Sequence, residues 1–583
     1  MRLPTRVLMA DLNTRRFSVE DRADLFQYYI GGSGVAISLL NEYCPKGADP
    51  LGPDNPIIFA VGPLVGLYPL ASKTVAMFKS PLTGNLGESH AGGRSAVAIR
   101  SAGYGAIVIR GASETPIYVS VDSKGVQFRD ASGIWGIASS VTTGRIIREL
   151  ETGAGTRTIM RIGGAGERLV RYASVITETY RHFGRLGLGA VFGSKKLKAV
   201  TVSGDHGFEV SDRKLYRETY DDVYKRAVSS PVMKKYHDIG TASNIMPLNL
   251  QKGLPTMNLR ATTSPEAERI SGEKLAENYL GRRVACAHCP VACIHIAALR
   301  EPYANEPYFY KTTMIPYDYE LIYALGSMLG VFDEKMMLHL IDAVEIWGLD
   351  AMSTGVVLAW ATEAMERGLI GQGETLGLAL KWGDEPAYAK AVEHIVKQPN
   401  EFYAALARGV DFASKRYGGE EYAMAFGGNE MPGYHTGPIS HVGHLTGSRH
   451  SHLDAAGYSI DQAALKDKLL PDAKTAASKL LKEEAWRQVL SSLVVCFFAR
   501  GIYDKDMVSK TLATAGHKVP PEALESIGMQ ILREKNRFKE REGFNHKELR
   551  IPGRVFETPS PLGKIDEKYL RESVEEFYRL LYA

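Results

Sequence analysis

Three thiols sit on one short segment, Cys286-Ala-His-Cys289-Pro-Val-Ala-Cys293, and Cys496 supplies a fourth far downstream. A [4Fe–4S] cube needs four thiolates, one per iron corner, and a compact loop plus one distant cysteine meets that need. A zinc site with His288 or His295 as a further ligand draws on the same donors, although the closing x3-Cys departs from the paired C-x2-C halves of zinc modules. The spacing therefore favours the cluster. Five of the 15 histidines crowd one stretch: His435, His441, His444, His450 and His452. H-x2-H and H-x-H fit a mononuclear metal site, and a pocket imidazole fits acid/base or substrate-orienting work near neutral pH. Surface histidines in a Gly-rich loop need neither.

Glycine is the second signal, with 27 of the 58 in the first 200 residues. Ser80-Pro81-Leu82-Thr83-Gly84-Asn85-Leu86-Gly87 and His90-Ala91-Gly92-Gly93-Arg94 form one dense Gly/polar region; 163–166 and 184–190 form two more. Such loops let backbone N–H and C=O groups reach a large polar ligand, phosphate especially. None matches G-x-G-x-x-G in a βαβ unit or G-x4-G-K-[ST], so Rossmann and P-loop assignments lack support. Tight sheet turns explain each loop singly. Three in one domain, beside a cluster, point to a large phosphorylated cofactor.

The elements that must position these groups divide the chain. Through about residue 208, β-branched or aromatic runs at 6–10, 16–19, 57–61, 117–121 and 126–129 alternate with turn residues and predict sheet. Asp122-Ser123-Lys124-Gly125 predicts a hairpin, and helices are expected at 34–43 and 92–102. From Asp212 the period becomes helical: Asp212 and Asp333 are N-cap candidates for 214–228 and 334–347. Helices at 353–367, 401–417, 473–499 and 521–535 follow, the last opened by Pro520-Pro521. No internal repeat is legible. A glycine-bearing region, 418–447, splits the helical part, giving domains 1–208, 209–417 and 418–583. The predicted class is α+β: a β-rich N-terminal domain followed by two mainly α-helical domains.

Composition agrees with a globular enzyme-sized protein. The 583 residues exceed the ~100–200 of one domain, and 45% hydrophobic, 23% charged and net +4 disfavour disorder or a nucleic-acid-binding basic stripe. Five cysteines are too few and uneven for a secreted disulfide framework. Met1-Arg2-Leu3-Pro4 leads into a strand-like segment rather than a signal peptide, and the longest apolar stretch, 56–71, falls short of the ~20 residues that span a bilayer. A soluble, cytoplasmic protein is expected.

Taken with Gly31-Gly32, Phe59-Ala60-Val61-Gly62-Pro63-Leu64, Ala102-Gly103-Tyr104, the run from Gly184 to Lys195 and Gly348-Leu349-Asp350, these motifs resemble the aldehyde:ferredoxin oxidoreductase family. Its members are tungsten enzymes with two pyranopterin dithiolenes and a [4Fe–4S] cluster. The resemblance implies a β-rich base for the bis-pterin, with tungsten or molybdenum as the metal, and two helical domains closing over it. Cys286, Cys289, Cys293 and Cys496 would hold the cluster. Backbone carbonyls of His90 and Phe183 would hold a Mg²⁺ bridging the pterin phosphates, and Gly92, Gly93, Gly184, Arg185 and Gly187 would border the cofactor. Lys73 would lie between pterin and cluster, where the family commonly has Arg; Lys keeps the charge but loses the planar fork.

The family binds its pterin rings with two D-x-x-G-L-[DC] motifs. Here the first reads Glu345-Ile-Trp-Gly348-Leu349-Asp350, and the second Ser491-Ser-Leu-Val494-Val495-Cys496, which departs at Ser491 and Val494. Glu320 matches the family's glutamate near the metal, its alternative being a helix-surface carboxylate; His450 or His452 matches the active-site histidine. The implied reaction is oxidation of an aldehyde to a carboxylic acid, with electrons passing through the cluster to ferredoxin or a ferredoxin-like partner subunit, in a homodimer or hetero-oligomer. One rival uses the same cofactor for low-potential reduction, such as that of an aromatic acyl-CoA. A rival of another class is a non-catalytic, zinc-stapled binding protein.

Overall fold

The computed structural model describes residues 4–178, 180–210 and 212–583; the first three residues of the N-terminal lead-in lie outside it. The N-terminal part is two six-stranded sheets. The first contains β1 (Arg6–Asp11), β2 (Arg16–Asp21), β3 (Ile57–Ala60), β4 (Thr74–Lys79), β5 (Leu86–Ala91) and β6 (Ala106–Arg110). The second contains β7 (Ile117–Asp122), β8 (Gly125–Asp130), β9 (Thr156–Arg161), β10 (Val175–Thr177), β11 (Arg181–Phe183) and β12 (Leu197–Gly204). Their orders are β2-β1-β6-β3-β4-β5 and β8-β7-β12-β9-β10-β11. The one parallel pair also recurs, β1 with β6 and β7 with β12.

One topology is therefore used twice, which corrects the expectation of no internal repeat. The repeat lies in strand pairing, which many apolar sequences satisfy equally, so no residue pattern betrays it. Both sheets share one core, with Leu8, Phe59, Ile107, Val119, Phe192 and Val200 fully buried. Strands β3 and β4 are buried at every position, so they lack the polar alternation that marks a half-exposed strand. The predicted hairpin at 122–125 is present, joining β7 to β8.

Helices dominate beyond Asp212, which accepts from Leu215 N at 2.9 Å; Asp333 likewise accepts from Met336 N at 3.0 Å. The expected helix 401–417 is two, Glu401–Leu406 and Val410–Tyr417, because Gly409 turns the chain at φ 96°. The helix expected at 473–499 stops at Ser492, and that at 92–102 is only Ser95–Ser101, behind β5. A three-stranded sheet unforeseen in the helical part comprises β13 (Leu280–Val284), β14 (Ile294–Tyr303) and β15 (Glu306–Tyr317). Its long β14–β15 hairpin starts just after Cys293 and ends just before Asp318 and Glu320. Among the described residues, no helix is long and apolar enough to cross a membrane.

Candidate active site

Two helix ends deliver the D-x-x-G-L-[DC]-type segments to the sheets in the same way. The helix Glu334–Trp347 closes with Gly348 at φ 77°; Gly348 N donates to Glu345 O (3.2 Å) and Leu349 N to Val344 O (3.1 Å). The released chain then pairs with the segment entering β10, through an Ala173–Leu349 bridge, Ser174 N to Gly348 O (2.9 Å) and Asp350 N to Tyr172 O (3.0 Å). The helix Ala473–Ser492 ends identically: Val494 N donates to Ser491 O (3.2 Å) and Val495 N to Leu490 O (2.9 Å). Its continuation pairs with the segment entering β4, the counterpart of β10. An Ala71–Val495 bridge forms, Lys73 N donates to Val494 O (3.3 Å), and Cys496 N to Leu70 O (2.9 Å). The second motif thus keeps its backbone seat despite Ser491 and Val494.

The acidic side chains of the first motif are already engaged. Glu345 Oε2 lies 2.9 Å from His182 Nε2, and Asp350 Oδ2 accepts from Arg185 Nε at 3.1 Å while Oδ1 caps the helix Ala351–Glu366 through Met352 N. Arg185 also donates to Glu430 O (2.8 Å), but its Nη1 is buried without a partner, as is Arg181 Nε. Buried donors with nothing to bind are costly. Both arginines line one cavity of about 330 Å³, with Gly184 beside them. A bound group with acceptor atoms would satisfy them.

The thiol loop rests against the first sheet. A Cβ on Gly92 would lie 2.7 Å from Cys286 Sγ, so a side chain here would displace the thiol. Ala287 N donates to Gly93 O (2.9 Å) and Leu70 N to His288 O (3.2 Å), so this loop and Cys496 hang on the same stretch near Leu70. Burial, reinforced by neighbouring thiols, pushes Cys289 and Cys293 up to about 12, and Arg181 opposes this at Cys293. Stable thiolates here require a cationic partner such as cluster iron. His295 lies with Nδ1 3.1 Å from Cys293 O and Nε2 3.2 Å from Asp238 O, so one of its nitrogens donates to the backbone, and His288 is exposed. Among the described residues, no group of three His, Cys, Asp or Glu is placed to hold a single ion.

His90 on β5 and Phe183 on β11 occupy equivalent edge strands of the two sheets, which leave backbone groups free toward a ligand. The His90 ring instead faces Glu88 (2.7 Å); burial lowers it to about 4, with Arg449 and Lys73 adding in the same direction.

Glu320 and His452 meet in the cavity, Oε1 and Nε2 3.3 Å apart. Asp318 caps the helix Tyr319–Leu325 through Leu321 N, which turns Glu320 inward, where its Oε2 accepts from Gly433 N at 3.1 Å. The surface-carboxylate alternative is thereby excluded: what exposure Glu320 has is to the cavity. Burial pushes its pKa up to about 8, partly countered by Gly433 N–H and raised further by Asp318. His452 is held well below the ordinary range by burial, with His444 and Arg185 adding to it.

His450 is not in the cavity. Its Nδ1 contacts His444 O (3.0 Å), its Nε2 meets Lys539 Nζ (3.0 Å), and its ring fills the space over Gly427. The five histidines are all buried, which corrects the surface-loop alternative; His435 Nδ1 and His441 Nε2 are 2.9 Å apart. Asp318, Tyr434, Tyr458, Arg487 and Arg500 also line the cavity and had no sequence signal beyond the nearness of Asp318 to Glu320.

Comparison with known proteins accords with this geometry. The pattern described as "Aldehyde ferredoxin oxidoreductase, N-terminal domain" matches residues 7–204, and "Aldehyde ferredoxin oxidoreductase, domains 2 & 3" matches 218–581. The chain belongs to the aldehyde ferredoxin oxidoreductase family. It is 31% identical to the tungsten-containing aldehyde ferredoxin oxidoreductase of Pyrococcus furiosus, over 99% of this chain and 95% of that one. It is 28% identical to the WOR-like subunit of an aliphatic sulfonate oxidoreductase from the same organism, over 90% and 84%. In fold it is similar to the active site complex BamBC of benzoyl coenzyme A reductase, solved with 1,5-dienoyl-CoA: TM-score 0.84, 21% identity, covering 100% of this chain and 95% of that one. As a member of the aldehyde ferredoxin oxidoreductase family the chain is an oxidoreductase enzyme of a tungsten-containing group, which overturns the non-catalytic zinc-stapled alternative.

Proposed function

We propose that this oxidoreductase converts aldehydes to carboxylic acids, RCHO + H2O → RCOOH + 2H⁺ + 2e⁻, and passes the electrons singly through a [4Fe–4S] cluster to ferredoxin or a ferredoxin-like subunit in the cytoplasm. The observation that carries the reading is one cavity with Glu320 and His452 on its wall and Arg181 and Cys293 on it as well, so acid/base groups and cluster donors border a single space. Arg185, Glu345, Asp350, Gly92, Gly93, Gly184, Gly187, Lys73, and the backbone of 491–495 would hold the bis-pterin, with His90 and Phe183 carbonyls on its Mg²⁺. When bound, the tungsten bis-pterin supplies oxygen transfer and storage of two electrons.

The chain's own residues supply positioning and proton movement. Burial keeps Glu320 and His452 uncharged near neutral pH, with the carboxyl Oε1 facing Nε2 across 3.3 Å. The His452 imidazole, through the Nε2 that faces the cavity beside Glu320, would hydrogen-bond a substrate carbonyl oxygen as charge grows there. Glu320, once ionised, takes a proton from water or product. Stacked pairs Tyr434–Tyr458 (centroids 4.6 Å) and Tyr236–Phe498 (4.1 Å) give the cavity flat aromatic walls.

Those aromatic walls also suit the second reading, low-potential reduction of an aromatic acyl-CoA. Metal and pterin analysis, followed by an aldehyde panel with a viologen acceptor and an aromatic thioester with reduced viologen, separates the two. Aldehyde-dependent viologen reduction supports the first; turnover of the thioester alone supports the second.

A further inference from the structure

Beside the thiol loop lies a second, open cleft of about 1240 Å³ that the chemistry above does not use. Arg94, Arg145, Arg148, Arg157, Arg161 and Arg282 line it, against three carboxylates. Arg94 pairs with Glu178 (3.1 Å), but Arg145, Arg148 and Arg282 have no acidic partner among the described residues. Arg145 and Arg148 are exposed on the helix Ser140–Leu150; Arg282 is exposed on β13, its guanidinium 5.8 Å from the Tyr180 ring centroid. Unpaired like charges around one hollow raise the local potential and draw in an anionic partner.

The cleft adjoins the cluster donors. Arg94 follows Gly93, whose carbonyl holds Ala287 N, and Gly92 touches Cys286. Arg282 lies four residues before Cys286 on the strand that leads into the thiol loop, and Ala285 and His288 of that loop are exposed. The hairpin strand β15 lines the cleft with Thr312, Thr313 and Met314, and its far end carries Tyr308, Phe309 and Tyr310, exposed at 92%, 64% and 52%. Consecutive exposed aromatics beside an arginine-rich hollow have the composition of a protein-binding centre.

We infer that the arginine cleft and the aromatic tip of the β14–β15 hairpin form the docking surface for an acidic one-electron carrier protein, set against the Cys286 loop. This rests on the proposed outward electron path and assigns its exit. Charge complementarity singles out the occupant: an acidic carrier gains steering from the arginines and would seat on a wall that includes Arg94 and Arg282, which flank the segments that hold the thiol loop.

The test uses the holoenzyme and a bacterial 2[4Fe–4S] ferredoxin as probe, measuring binding at low and high salt and, separately, viologen-linked and ferredoxin-linked turnover. The double variant Arg145→Glu/Arg148→Glu is expected to weaken ferredoxin binding by about tenfold or more and to flatten its salt dependence, with viologen-linked rate and iron content unchanged. Arg145→Gln/Arg148→Gln should fall between, and Phe309→Ser should weaken binding without altering the salt slope. Ferredoxin binding equal to wild type in the charge-reversed enzyme would overturn the inference. So would a variant that keeps ferredoxin affinity but loses affinity for a phosphate-bearing substrate, which would assign the cleft to a substrate tail. Absence of aldehyde turnover with salt-sensitive, arginine-dependent ferredoxin binding intact would refute the aldehyde reading and leave this surface standing.

Discussion

Val494 adopts the same left-handed backbone as Gly348, φ 54° against 77°, at matching positions of two helix ends that dock onto equivalent strands. The departure of the second motif from glycine therefore changes the side chain and not the path of the chain. Val494 is 1% exposed, so the strain of a β-branched residue in this region is offset by burial in the core of the first sheet.

Gly348→Ala is expected to destabilise the protein by about 1–3 kcal/mol, the cost of forcing a side chain into this region. The added Cβ would also press on Gly163 N and Ile176 Cδ1, both at 3.2 Å. Val494→Gly relieves ~1–2 kcal/mol of strain but forfeits ~1.5–3 kcal/mol of burial. A small net loss follows. Denaturant midpoints of both variants check this, and a neutral Gly348→Ala would contradict it.

Gly92→Ala should cost cluster occupancy rather than fold, because its Cβ would meet Cys286 Sγ at 2.7 Å while the surrounding sheet is untouched. Cys496→Ser should act the same way from the other side. Iron content and visible absorbance are expected to fall in both, with far-ultraviolet circular dichroism preserved. Full iron content in Cys496→Ser would show that Cys496 is not a ligand.

Glu320 ionises near pH 8, so kcat/KM is expected to rise as pH passes through about 8, where the carboxylate becomes available as a base. Glu320→Gln should lose that inflection and about 10²–10⁴ in rate. Glu320→Asp should restore the inflection at reduced rate. The same elevated pKa makes Glu320 favour folding most below its unfolded value, near 4.3, a contribution lost as pH rises towards 8.

The buried histidines act in the opposite sense. Burial lowers His435 to about 4 and His444 to about 3, so the unfolded chain binds more protons below its ordinary value near 6.5. Their contribution is present above pH 6.5 and lost as pH falls through 4. Urea midpoints should therefore decline across that window. His435→Gln should reduce the proton uptake on unfolding by about one.

What was legible in the chain was legible for physical reasons. Asp212 and Asp333 announced their helices because a cap is a local event, and the hairpin at Asp122 to Gly125 because turn chemistry is local too. Strand β3 was legible as the apolar run at 57–61, whereas β4, covered on both faces, left little trace, and β13–β15 were missed because a hairpin's partners declare themselves only on pairing. Between His450 and His452 the sequence offered no choice. The capping box at Ser451 and Asp454 starts the helix His452–Ala455, placing one ring against Glu320, whereas left-handed backbone at His450 turns the other towards Lys539.

Metal analysis of the purified chain, coupled to aldehyde-dependent reduction of a viologen, bears most directly on the proposed reaction. About four iron and about one tungsten per chain are expected, with viologen reduction that requires an aldehyde. Zinc without iron or tungsten, or a fully metallated enzyme that no aldehyde reduces, would contradict it.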